Sequence, residues 1–238
     1  MKVSQKNLLM ASVLLGALLV SAPAQGASPY DDVLVQKGIQ DLQQENYDEA
    51  LAELTEAWGK GSHTPEKASL LGQTYRLMLN YPKAREYLEE SLRLKPNQPR
   101  AQLMLADTLM ALNRVQEALP LLQALETTGY EPGQVAYLRG MAEAKEGRYS
   151  QALDYFQKAQ ADPKIAQEAK FQASLALAAL NRLKEARQTM QEAVVLNPQS
   201  PTGEFAQRYQ GILENRLKEL KPFRASVTAG FDYDSNVT

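Results

Sequence analysis

An alanine returns every 34 residues without a slip, at Ala50, Ala84, Ala118, Ala152 and Ala186. A fixed period of this length means a row of like supersecondary units, none of which can bury its apolar side alone, so the chain folds as an array rather than around one central core. Twelve residues before each alanine stands another small residue: Gly38, Gly72, Ala106, Gly140 and Ser174. Large apolar residues keep the same period at Tyr47, Tyr81, Val115, Tyr149 and Leu183, and again at Leu54, Leu88, Leu122, Phe156 and Met190. Pro96 and Pro198 follow helical runs that end in Leu94 and Leu196. Two helices cross closely only where the facing residues are small, so the small columns mark the crossing of an antiparallel pair, and the bulky columns fill the space beside it.

These columns resemble the tetratricopeptide family, most clearly from Gly140 to Ala159, where Gly147, Tyr149, Ala152, Phe156 and Ala159 fall on that family's positions. The resemblance covers residues 31–200 as five units, at 31–64, 65–98, 99–132, 133–166 and 167–200. It implies an all-α superhelical solenoid of helix-turn-helix repeats whose first helices line a concave groove.

The breaks between helices carry matching signals. Asn80 before Tyr81 and Pro82 offers a capping side chain ahead of a proline in the first turn. Asn113, Gly147 and Asn181 stand near the equivalent place in other units. Two departures are expected to matter. Pro120 lies inside the second helix of the third unit, where a missing N–H should kink or loosen it, and that unit ends in Tyr130, Glu131 and Pro132 instead of at the expected proline. After Pro198 the phase is lost, and residues 200–203 read as a turn. A capping helix over 202–220 follows, with Phe205, Tyr209, Ile212, Leu213, Leu217 and Leu220 on one stripe and Gln207, Arg208, Glu214, Asn215 and Lys218 on the polar face that closes the array.

Both ends depart from this pattern. Lys2 and Lys6, an apolar run of 13 residues from Leu8 to Val20, and the small residues up to Ala27 have the layout of a cleaved secretory signal over 1–27. The run falls short of the roughly 20 residues that a membrane-spanning helix needs. With no cysteine the mature chain has neither disulfide nor lipid-modified thiol, and the periplasm is the expected destination. Beyond Pro222 the period becomes two: Phe223, Ala225, Val227, Ala229, Phe231 and Tyr233 alternate with polar or small residues over a strand-like tail, 223–238. Ten steps of about 3.3 Å, tilted as barrel strands are, span roughly 25 Å, the height of an outer-membrane barrel's apolar band. One strand cannot cross a membrane alone, since its unpaired N–H and C=O groups would lack partners in hydrocarbon. The ending Tyr233-Asp234-Ser235-Asn236-Val237 resembles the first barrel strand of outer-membrane proteins that carry tetratricopeptide repeats ahead of a β-barrel, of which the surface lipoprotein assembly modifiers are one family. That resemblance implies outer-membrane association through residues 223–238.

Chemistry is sparse. Loss of Lys2 and Lys6 with the signal leaves 24 basic against 28 acidic side chains, which argues against a nucleic-acid partner. The single histidine, His63, sits in a glycine-rich loop without the companions that a triad or zinc site requires. No phosphate loop, metal cluster or cofactor motif is present in the sequence, so no enzyme activity, metal or cofactor is expected. Trp58, the single tryptophan, is expected to pack on the next unit. What remains is a binding surface. The resemblance places Leu103, Met110, Tyr137, Met141, Phe171 and Leu175 on the groove, with Val35, Arg76, Arg100, Asp107 and Lys145 among them. No asparagine falls on these positions, so the family's clamp for a terminal carboxylate is not expected. Methionine and aromatic side chains suit an apolar segment of a protein or peptide. The function expected is capture of such a partner beside an outer-membrane export or assembly barrel. The alternative is a free-standing periplasmic scaffold.

Overall fold

The computed structural model describes residues 29–219, so the signal-like 1–27 and the tail 223–238 lie outside the described residues. Eleven helices run in chain order among the described residues: α1 Pro29–Gln43, α2 Tyr47–Lys60, α3 Pro65–Leu77, α4 Tyr81–Leu94, α5 Pro99–Ala111, α6 Val115–Thr128, α7 Pro132–Lys145, α8 Tyr149–Ala159, α9 Ala166–Ala179, α10 Leu183–Leu196 and α11 Pro201–Glu219. Each helix packs on its sequence neighbours, and each odd-numbered helix also touches the next odd-numbered one. The described part is thus an all-helical solenoid, with the odd helices forming its inner row.

The alanine column is the seam of every pair. Ala50, Ala84, Ala118, Ala152 and Ala186 are fully buried, as are Leu54, Leu88, Leu122, Phe156 and Met190. The small column faces this second set directly. A Cβ on Gly38 would lie 2.7 Å from Leu54 Cγ, on Gly72 2.6 Å from Leu88 Cγ, and on Gly140 2.6 Å from Phe156 Cε1. Where the fifth unit has serine, the Ser174 hydroxyl donates to the Ala186 carbonyl at 2.7 Å, so the polar group is satisfied inside the crossing. The other bulky column behaves differently: Tyr47, Tyr81, Tyr149 and Leu183 open the outer helices and stay partly exposed, and only Val115 is buried.

A further column with the same period turns inner helix into outer helix. Glu45, Leu79, Asn113, Gly147 and Asn181, each 34 residues from the next, all adopt left-handed backbone with φ between 60° and 75°. The following N–H then reaches back to close the helix: Asn46 N to Asp41 O at 2.9 Å, Asn80 N to Tyr75 O at 2.8 Å, Arg114 N to Leu109 O at 2.8 Å, Arg148 N to Glu143 O at 2.9 Å and Arg182 N to Leu177 O at 2.9 Å. This six-to-one bond satisfies a carbonyl that the helix end leaves free. The outer helix starts at once, and Asn80 Oδ1 caps α4 by accepting the Lys83 N–H at 3.3 Å.

One repeated carbonyl near the end of the outer helix accepts a side-chain hydrogen bond, from the next unit in the first case and from within the unit in the other two. Lys67 Nζ donates to Ala57 O at 3.1 Å, Gln98 Nε2 to Ser91 O at 2.9 Å and Gln167 Nε2 to Ala193 O at 2.9 Å. At the third-to-fourth junction Thr128 bonds the equivalent Leu125 carbonyl from within α6. A cavity of about 680 Å³ opens beside it, lined by Leu125, Val135, Tyr155 and Lys158.

Two expectations are corrected. α6 runs unbroken through Pro120, because Pro120 and Gln116 both lie on the exposed face, where the carbonyl left without an N–H partner meets water. Residues 200–203 are not a turn between elements: Ser200 Oγ accepts the Gly203 N–H at 2.9 Å and so caps α11. α11 therefore keeps the phase of the array as a sixth inner helix. No helix among the described residues is long and apolar enough to cross a membrane.

Candidate functional site

The inner row changes character along its length. Toward the N-terminus it is polar: Arg76 Nη1 of α3 meets Asp107 Oδ2 of α5 at 2.8 Å, and Arg100 Nη2 donates to Gln73 Oε1 at 3.1 Å. Val35 is half-buried on α1. From α7 onward the row becomes apolar. Tyr137, Met141, Phe171 and Leu175 are half-buried and pack on the core while keeping part of their surface open, and Leu103 on α5 does the same. Met110 departs from its expected place on the groove. At 5% exposure it belongs to the core around Leu105 and Leu109, because the last turn of α5 is tucked beneath its neighbours. Lys145 is exposed and donates to Asn113 Oδ1 at 3.0 Å.

α11 extends the apolar row, against the expectation that its aliphatic and aromatic residues share one buried stripe. The buried stripe is Gly203, Ala206 and Leu213. Phe205 is half-buried, Tyr209 is 40% exposed and Ile212 61% exposed. Tyr209 meets Phe171 of α9 edge-on, with ring centroids 5.7 Å apart. The signal for these residues is the same 34-residue register: Tyr137, Phe171 and Phe205 form one column, and Met141, Leu175 and Tyr209 another. Three parallel inner helices thus present a continuous apolar floor, α7 to α9 to α11.

The deepest member is Tyr137, whose ring lies 6.0 Å from that of Phe156. Burial pushes its phenol well above the usual range, the nearby Glu168 charge pushes it further, and a hydrogen bond with Gln172 opposes them. Glu168 stands on α9 beside this floor and accepts the Thr202 hydroxyl of α11 at 3.2 Å.

The outer surface offers no comparable arrangement. His63 stacks flat on Trp58, 4.0 Å between centroids, and Trp58 meets Tyr87 of the next unit edge-on at 5.9 Å. Arg139 bridges the rows, near Glu126 at 3.4 Å and donating to the Tyr155 hydroxyl at 3.2 Å. Among the described residues no group of three or more His, Asp or Glu side chains could hold a metal ion.

The tetratricopeptide repeat model matches residues 103–164 and again 137–201. Over residues 103–201 the repeats are thus similar to tetratricopeptide repeats. A model described as anaphase-promoting complex, cyclosome, subunit 3 matches residues 43–125, so matches run from the end of α1 to the start of α11. Among solved structures, the helical array here is similar to MamA from Desulfovibrio magneticus RS-1, at 19% identity and a TM-score of 0.63, covering 71% of this chain and 96% of that one. It is also similar to YrrB, described as a TPR protein with an unusual peptide-binding site, at 20% identity and a TM-score of 0.58, covering 74% and 90%. TTC0263 from Thermus thermophilus, a thermophilic TPR protein, has 18% identity and a TM-score of 0.59, covering 78% and 99%. At these identities the likeness is one of fold. No curated protein matches the chain in sequence.

Proposed function

We propose that this chain is a protein-interaction module without catalytic activity, which seats an apolar segment of a protein or peptide on the inner face of α7, α9 and α11. The observation that carries this reading is the half-open floor ending in Tyr209 and Ile212, where exposed apolar side chains continue the row of Phe171 as a contiguous patch of the kind that marks interaction sites. YrrB, with its peptide-binding site, lends support at the level of the fold.

The signal-like start and the alternating tail support a periplasmic setting next to an outer-membrane export or assembly barrel. The polar outer surface of α11, with Gln207, Glu214 and Lys218, favours a second reading, a free-standing periplasmic scaffold, because such a face closes a solenoid against solvent. Photocrosslinking tests the binding reading. A benzophenone amino acid in place of Ile212 should trap a defined protein in cells, whereas one in place of the exposed outer residue Glu117 should not, and equal labelling from both positions counts against it. Fractionation with a phosphatase fusion tests the periplasmic setting. Sequencing beyond the Thr238 codon separates the two readings: a barrel requires at least about seven further alternating segments.

A further inference from the structure

The apolar floor carries one carboxylate whose charge no cation of the described residues answers. Glu168 sits at the start of α9 beside Tyr137, and the hydrogen bond it accepts comes from the neutral Thr202 hydroxyl at 3.2 Å. It has no ion-pair partner among the described residues. Lys170, two residues further along α9, is engaged with Glu192 at 2.6 Å. On the polar half of the same face the opposite holds, since Arg76 and Asp107 neutralise each other.

Resting on the reading of this face as a binding groove, we infer that its occupant is an apolar segment bearing a lysine or arginine that pairs with Glu168, while its large apolar side chains cover Phe171, Tyr209 and Ile212. The chemistry favours a cation for two reasons. A carboxylate at the edge of an apolar surface loses water when a partner covers that surface, and this penalty is offset only by a charge-assisted hydrogen bond. A neutral or acidic residue at that point would leave Glu168 buried and unanswered, which disfavours the wrong partner as strongly as pairing favours the right one. Thr202 holds the carboxylate in place and leaves its second oxygen free to accept.

Selection of a random 12-residue peptide display library on the immobilised protein tests this. Enriched peptides should combine large apolar residues with a lysine or arginine at a fixed offset. In fluorescence anisotropy a selected peptide should bind at least about tenfold more tightly than its basic-to-glutamine counterpart. Glu168→Gln should erase that difference while leaving the helical content unchanged. Enrichment of apolar peptides with no basic preference, or a preference that survives in Glu168→Gln, overturns the inference and leaves the groove reading standing. Peptides that bind Tyr209→Ser/Ile212→Asp as well as the parent protein overturn the groove reading itself, and the absence of any enrichment overturns both.

Discussion

Gly140 and Phe156 occupy one volume between them: a Cβ on the glycine would lie 2.6 Å from Cε1 of the ring, so the aromatic side chain stands in the space that the glycine leaves open. The same relation joins Gly38 to Leu54 and Gly72 to Leu88, and it couples a residue on the inner helix of a unit to one on its outer helix. Gly140→Ala should therefore destabilise the array by about 1–3 kcal/mol through overpacking, although alanine is the better helix former. Adding Phe156→Leu should recover part of the loss. Urea melts of the two single variants and the double variant check this, and strictly additive effects would show that the pair does not share its space.

Leu79 is held at a φ of 60° while 41% exposed. A left-handed conformation costs a leucine roughly 1–2 kcal/mol, and little burial is lost by removing the side chain. Leu79→Gly is expected to raise stability by about 0.5–1 kcal/mol after the added chain entropy of glycine is counted. Thermal unfolding reads it directly, and a lower Tm would mean that the side chain contributes more than its strain.

The two ends of the apolar floor should respond differently to truncation. Ile212→Ser removes an exposed side chain and should change stability by no more than about 0.5 kcal/mol. Tyr209→Ala also loses the edge contact with Phe171 and should cost about 1 kcal/mol. Each should weaken partner binding at least several-fold. Tyr137→Ala removes a ring that packs on the core on both sides of it, and should cost about 3 kcal/mol or more. Circular dichroism melts beside a binding assay separate the two classes.

Alkaline unfolding should report the buried phenols. Burial raises Tyr81, Tyr87, Tyr130 and, most strongly, Tyr137 above the ordinary tyrosine range. A group whose folded pKa is raised binds its proton more tightly in the folded state. Its contribution is then fully present below about pH 10, where unfolded tyrosine titrates, and is lost as the pH rises through the folded value. Stability is expected to fall above about pH 10, and Tyr137→Phe should flatten part of that fall. A slope unchanged in Tyr137→Phe would place that phenol in contact with water.

The helical pairs and their seam were legible because packing itself has the 34-residue period: a close crossing tolerates only Gly, Ala or Ser, so Gly140 and Ala152 are written into the chain as residue types. The left-handed column was half legible. Asn113, Gly147 and Asn181 suit that backbone, but Glu45 and Leu79 carry no such mark, since the six-to-one bond that holds them there uses only backbone atoms. Ser200 to Gly203 read as a turn because the same residue types that make turns also cap helices, and only the register shared by Phe171 and Phe205 distinguishes the two. Met110 and Ile212 exchanged roles for a related reason. Helical spacing locates a stripe, while the neighbouring helix decides whether that stripe is covered, and α11 has no outer partner over its inner face among the described residues.

Tyr137 packs against both large groups of buried apolar residues, one running from Leu88 to Ala142 and the other from Ala152 to Leu213. In a row of units that otherwise touch only their neighbours, a guest resting on that ring leans on both halves of the rod at once. Occupancy should make them melt as a single block, turning a chain of loosely linked segments into a stiffer beam.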